Sequence, residues 1–145
     1  MINIFKNKAN EKTYDDNFLS KVASLLIHAA KIDEVYTAEE KEIIKQTLIK
    51  LGAKASSIEN IIAEAIINEK NSNQILDFTR EIKKRSESDK IEIIEALWEI
   101  IYSNKNADMY ETNLMRRLAG LLYIDNKIMG DIKDKIKKEY LKWHT

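Results

Sequence analysis

Apolar residues recur along most of this chain at helical spacing. Phe18, Val22, Leu25, Leu26, Ala29 and Ala30 follow close to an i, i+3, i+4, i+7 pattern, and Ile43, Ile44, Thr47, Leu48 and Leu51 repeat it. Further stripes run through Ile58, Ile61, Ile62, Ala65 and Ile66, and through Ile75, Leu76, Phe78, Thr79 and Ile82. Ile94, Leu97, Trp98 and Ile101 form a wider apolar arc, which predicts a helix at the centre of the fold. The last stripe, Ile128, Ile132, Ile136 and Tyr140, is spaced by four, with Trp143 beyond it. The intervening polar residues supply start and stop signals. Asp15 or Asp16 can cap the first helix. Thr37-Ala-Glu-Glu40 reads as a capping box, worth about 1 kcal/mol, in which the threonine oxygen and the glutamate each bond the other residue's amide. Ser56-Ser-Ile-Glu59 reads as a second box, Asn71–Gln74 as the next start, and Asp89-Lys-Ile-Glu92 as the cap of the fifth helix. Gly52 suits the left-handed position that ends a helix. A final helix starts near Asp125 or Asn126. The expectation is an all-α protein of about seven helices, with turns near 33–36 and 104–107.

Part of this pattern occurs twice. The stretch over 22–51 returns near 93–122, displaced by 71 residues: Val22 matches Ile93, Leu26 matches Leu97, Ile43 matches Leu114, and Leu51 matches Leu122. Within the turns, Asp33 matches Asn104, Thr37 matches Asp108, and Glu40 matches Glu111. Two related helix–acidic turn–helix pairs are predicted inside one compact domain, since two copies are too few for an open solenoid. The domain is expected over 15–145, with 1–14 as a polar, weakly patterned tail.

These turns resemble those of the TerB-like family, named for bacterial tellurite resistance. That family's pattern has an Ala-Asp-Gly turn, then an acid seven residues after the aspartate, in each of two helical pairs. This chain keeps Asp33 and Glu40 in the first copy, with Glu34 at the glycine position. In the second copy Asn104 and Lys105 replace Asp-Gly, while Asp108 and Glu111 remain. Trp98 ahead of the second turn and Arg116-Arg117 behind it fit the same pattern. The resemblance covers roughly residues 18–141. It implies an all-α cytoplasmic protein whose acidic turns are candidates for holding a metal ion.

Composition narrows the chemistry. With 145 residues, one domain is the default, able to bury about 70% of its unfolded surface. Proline is absent and glycine occurs three times, which suits long helices. Lys+Arg and Asp+Glu are each 24, without the basic excess of a domain that grips phosphate backbones, so no nucleic-acid partner is expected. The absence of cysteine removes disulfides, thiolate nucleophiles and cysteine-based metal sites, and with them any thiol reduction of tellurite. The longest apolar run, Leu121–Ile124, is far short of a membrane span of about 20 residues, and MINIFKNKANEKTY carries no signal-peptide core. No membrane insertion and a cytoplasmic location are expected.

The residues that could carry chemistry are few. Asp33, Glu40, Asp108 and Glu111 are oxygen donors of the kind Ca²⁺ or Mg²⁺ takes, and convergent turns could share an ion. The competing reading is structural: each acid caps a helix, and the turns lack the ligand density of an EF-hand loop. Lys105 adds a cation that opposes an ion at the second turn. Ser24 and His28 lie four apart on one helix face, but the sequence places no third orienting acid beside them. His144 stands at the chain end. The clusters Lys83–Arg85 and Lys135, Lys137 and Lys138 are interleaved with acids and read as solvated faces. With no nucleophile constellation, no glycine-rich phosphate loop and no cofactor motif, the expected function is non-enzymatic. The chain reads as a helical module that binds another protein, which could itself be membrane-associated, in a tellurite, metal or envelope stress response. The alternative is a Ca²⁺- or Mg²⁺-binding or ion-sensing domain built on the acidic turns.

Overall fold

The computed structural model describes residues 16–31, 37–71, 75–103 and 108–144, with the side chains of 16, 108–112, 141, 143 and 144 outside the description. Among the described residues there are seven α-helices and no strand: α1 (Asp16–Ala30), α2 (Ala38–Lys50), α3 (Ile58–Asn71), α4 (Leu76–Ile82), α5 (Glu87–Ser103), α6 (Asp108–Leu121) and α7 (Asn126–His144). The helix count is the one the periodicity predicts. The turns at 33–36 and 104–107 lie outside the described residues, as does the tail at 1–14.

The internal repeat is deeper than the sequence comparison suggests. α1 and α5 bury corresponding positions 71 residues apart, Val22 with Ile93 and Leu26 with Leu97. α3 packs on α1 as α7 packs on α5, and these are the two closest helix pairings. The buried positions of those outer helices also correspond at the same displacement: Ile58 with Met129, Ile61 with Ile132, and Ala65 with Ile136. The repeated element is therefore three helices, α1–α2–α3 and α5–α6–α7. α4 is the connector, lying against α1 and α6. The two units join where α5 meets α1 and α2.

Both units end their second helix in the same way. After α2, Gly52 N–H bonds Ile49 O at 3.0 Å and Ala53 N–H bonds Leu48 O at 2.9 Å. After α6, Tyr123 N–H bonds Gly120 O at 3.3 Å and Ile124 N–H bonds Ala119 O at 2.9 Å. This paired pattern is a Schellman motif, which requires a left-handed residue in the middle. Gly52 fills it at φ 104°, as predicted. Tyr123 fills it at φ 57°, a conformation that costs a side-chain-bearing residue about 1–2 kcal/mol. Its ring is 72% exposed, with Lys83 Nζ 5.7 Å from its centroid.

The core is continuous across the units. Leu26, Ile44, Ile94, Leu97, Trp98, Leu118 and Ile132, the residues expected at the centre, are all buried. α5 shares that centre with α1, which meets α2, α3, α4 and α5 and buries nearly every residue from Phe18 to Ala30. Even Ser20 and Ser24 are inside. Ile43, Ile66, Ile128 and Tyr140 are half-buried and Leu76 is exposed, so five of the expected stripe residues sit at the margin.

Three start signals lie elsewhere than expected. Asn71 is the last residue of α3, and α4 starts after Ile75, whose side chain makes no cap bond. Ser56 and Ser57 belong to a single 3-10 turn, Ala55–Ser57, that leads into α3, and Glu59 is drawn instead to lysines of α2. α5 begins one turn before Asp89: Ser86 Oγ accepts from Asp89 N–H at 3.2 Å and its carbonyl accepts from Lys90 N–H at 3.1 Å. The earlier start places Lys90 inside the helix. There its Nζ, buried, donates to Leu122 O at 2.9 Å and caps the carbonyl end of α6.

Candidate functional site

Of the four acids singled out in the turns, Glu40 is the one whose side chain is described, and its Oε1 is engaged by its own cap. Thr37 N–H donates to Glu40 Oε1 at 2.8 Å, Thr37 Oγ1 donates to the same oxygen at 3.1 Å, and Glu40 N–H donates to Thr37 Oγ1 at 3.1 Å. The predicted capping box is formed in full. Glu40 is 2% exposed, so its carboxylate is held against the first turn of α2 and out of water. Asp33 and the side chains of Asp108 and Glu111 lie outside the described residues, as do Asn104 and Lys105. Among the described residues no group of three or more histidine, cysteine or acidic side chains is arranged to hold a metal ion.

The tertiary structure adds an acid to the serine–histidine pair. His28 Nδ1 lies 3.3 Å from Glu69 Oε2, and Lys31 Nζ lies 3.1 Å from Glu69 Oε1. Serine, histidine and glutamate thus gather on α1 and α3, the composition of a hydrolytic triad. Ser24 is 0% exposed and donates its hydroxyl to Ala65 O at 3.3 Å. A nucleophile needs a substrate carbon within reach, and this one faces a neighbouring helix backbone. With Asn68 Nδ2 donating to Ser20 Oγ at 3.3 Å, the cluster is the polar seam that fastens α3 to α1. Glu69 is 41 residues from His28, and no local signal in the sequence couples them.

A second charged seam joins α5 to α7. Lys135 Nζ donates to Glu95 Oε2 at 2.6 Å, and this bond raises the lysine's pKa above its ordinary value. Glu99, on the same helix, has its pKa raised above the ordinary 4.5, chiefly by burial. Lys50 opposes the shift, while Glu95, Glu139 and Glu92 reinforce it. The native state therefore holds this proton more tightly than the unfolded chain does. Its contribution to stability is complete below pH 4.5 and is lost as pH rises through the raised value. Glu99→Gln should accordingly melt higher than the parent protein at pH 7, with the gain shrinking toward zero below pH 4.5. Thermal melts across that range check it, and a gain independent of pH would contradict the assignment.

Among the described residues no helix is long and apolar enough to cross a membrane. In the basic run Lys83–Arg85, Lys84 is exposed as expected, while Lys83 and Arg85 are half-buried. Arg85 Cζ lies 4.0 Å from the Phe18 ring centroid, and Lys84 approaches Glu81 at 3.8 Å. No curated protein and no solved structure matches the chain. The family described as tellurite resistance protein TerB matches over residues 19–134 of the 145, from α1 into α7, and the chain belongs to that family.

Proposed function

We propose that this protein is a non-enzymatic, cytoplasmic helical module that works by binding another protein, in a bacterial response to tellurite, metal or envelope stress. The observation that carries this reading is the family match from α1 into α7. The engagement of the reactive groups supports it. Ser24 is bonded to the backbone of α3 and Glu40 to its own cap, so each has a structural task. The partner is a protein, which could be membrane-associated, rather than a nucleic acid, in keeping with the balanced charge. In-cell photo-crosslinking tests the reading, with the reactive residue placed in turn at Arg117, Gly120 and Lys137, all exposed. A discrete protein adduct at one helix face is expected. Absence of any adduct from all three positions, with and without tellurite, would sink it.

A divalent-ion role for the acidic turns is the second reading. Because Glu40 is committed to Thr37, an ion would rely on Asp33 more than on Glu40. Asp33→Asn keeps an oxygen acceptor, so a structural turn should lose only on the order of 1 kcal/mol. Melts of both proteins with Ca²⁺, with Mg²⁺ and with chelator decide between the readings. We expect no ion-dependent rise. A rise in melting temperature that disappears in Asp33→Asn would establish the ion site instead.

A further inference from the structure

The internal repeat allows each position of one three-helix unit to be compared with its counterpart 71 residues away. On the first unit, Glu59 of α3 reaches toward α2. Its carboxylate lies 3.5 Å from Lys45 Nζ and 3.5 Å from Lys41 Nζ. On the second unit the counterpart of Lys45 is Arg116, another cation on the middle helix. The counterpart of Glu59 is Gly130, which has no side chain. The carboxylate that pairs with the middle helix in one unit is missing from the other.

The structure has a cavity of about 370 Å³ at that place, lined by Arg116 and Met115 of α6, Met129, Gly130 and Lys133 of α7, and Trp98 of α5. A Cβ built on Gly130 meets nothing within 4 Å, so the space beside its backbone is open. The volume is within the range of small-ligand sites. None of the described lining side chains is acidic, and two are cationic. Lys133 Nζ stands 5.5 Å from the Trp98 ring centroid. Trp98 is 4% exposed, and its Nε1–H is buried with no acceptor among the described residues. A buried donor without a partner is costly, and native structures usually supply one. The apolar part of the lining is the outer edges of Met115, Ala119, Met129 and the Trp98 indole, which suit the hydrocarbon part of a small ligand.

We propose that this cavity binds a small organic acid whose carboxylate occupies the place taken by the Glu59 side chain in the first unit. The carboxylate pairs with the Arg116 guanidinium, a charge-assisted contact of the kind arginine makes best. The apolar body lies on Met115, Met129 and Trp98, in the space that Gly130 leaves open. The site does not depend on which protein the module binds.

The test uses 2-naphthoate as probe and the Trp98 indole N–H resonance as readout, assigned with Trp98→Phe because the chain has two tryptophans. The neutral alcohol 2-naphthalenemethanol and inorganic phosphate serve as comparisons. Naphthoate should shift the Trp98 resonance saturably, with Kd of about 1 mM or tighter. The alcohol should bind at least about tenfold more weakly, as should naphthoate to Arg116→Gln, which removes a charge from an exposed side chain. Gly130→Glu supplies the carboxylate within the chain and a better helix former than glycine. That variant should keep its helical circular dichroism, melt higher than the parent protein, and lose naphthoate binding. Equal binding of acid and alcohol would reduce the cavity to an apolar void. Phosphate binding as tightly as naphthoate would make it a bare anion site. Absence of a saturable shift, or unimpaired binding to Gly130→Glu, would refute the assignment outright.

Discussion

Truncating Leu97 to alanine lowers the stability of this fold by roughly 2–5 kcal/mol, the cost of removing a buried leucine together with the cavity it leaves. Leu97 is 0% exposed on α5, the helix where the two units join against α1 and α2. α5 packs against helices of both repeats, so the surroundings of a void on it have little freedom to collapse. The total stability of such a domain is about 5–15 kcal/mol, so the variant gives up a large share of it. Urea unfolding with an unchanged slope and a shifted midpoint is the expected signature. A change below about 0.5 kcal/mol would place Leu97 at the surface and overturn the packing of α5.

Glu40→Ala should cost about 1–3 kcal/mol, whereas Glu40→Gln should cost less than about 1 kcal/mol. The difference follows from what each variant leaves behind. Alanine removes the oxygen that accepts both Thr37 N–H and Thr37 Oγ1–H, in a site that water does not reach freely. Glutamine keeps an oxygen in that place and loses the charge that favours the positive end of α2. Melts in chelator should give the same two losses as melts in Ca²⁺. A penalty for alanine that appears only in the presence of the ion would make Glu40 a ligand rather than a cap. The pair therefore separates the structural reading of this acid from the metal reading.

Two of the misplaced helix starts show where local chemistry stops being decisive. Ser86, Ser88 and Asp89 can each accept from an amide two or three residues on, so several caps compete before α5. Starting at Ser86 adds the turn that carries Lys90 to the carbonyl of Leu122. That bond spans 32 residues, and no window of sequence contains it. Ser56 and Glu59 form an equally good box on paper. Glu59 lies instead against Lys41 and Lys45 because α3 packs beside α2. Gly52 and the Thr37–Glu40 box were readable because each answers a purely local need: a left-handed residue in one case, unpaired amides in the other.

By itself the sequence determined the helical class, the number of helices, most of the core residues and the 71-residue displacement between the units, because these depend on periodicity and composition along one strand of chain. It also carried the family, through the spacing of the acidic turns and its match over residues 19–134. Only the tertiary structure decided that the repeat is three helices long, that α1 is covered by four neighbours, and that Glu69 completes and Ala65 disarms the serine–histidine pair. It alone placed Gly130 beside Arg116, so that the absence of one side chain becomes a cavity. The physical reason is the same in each case. A helix declares its own apolar face through neighbours three and four residues away, but which polar group meets which depends on how whole helices dock, and docking joins residues tens of positions apart.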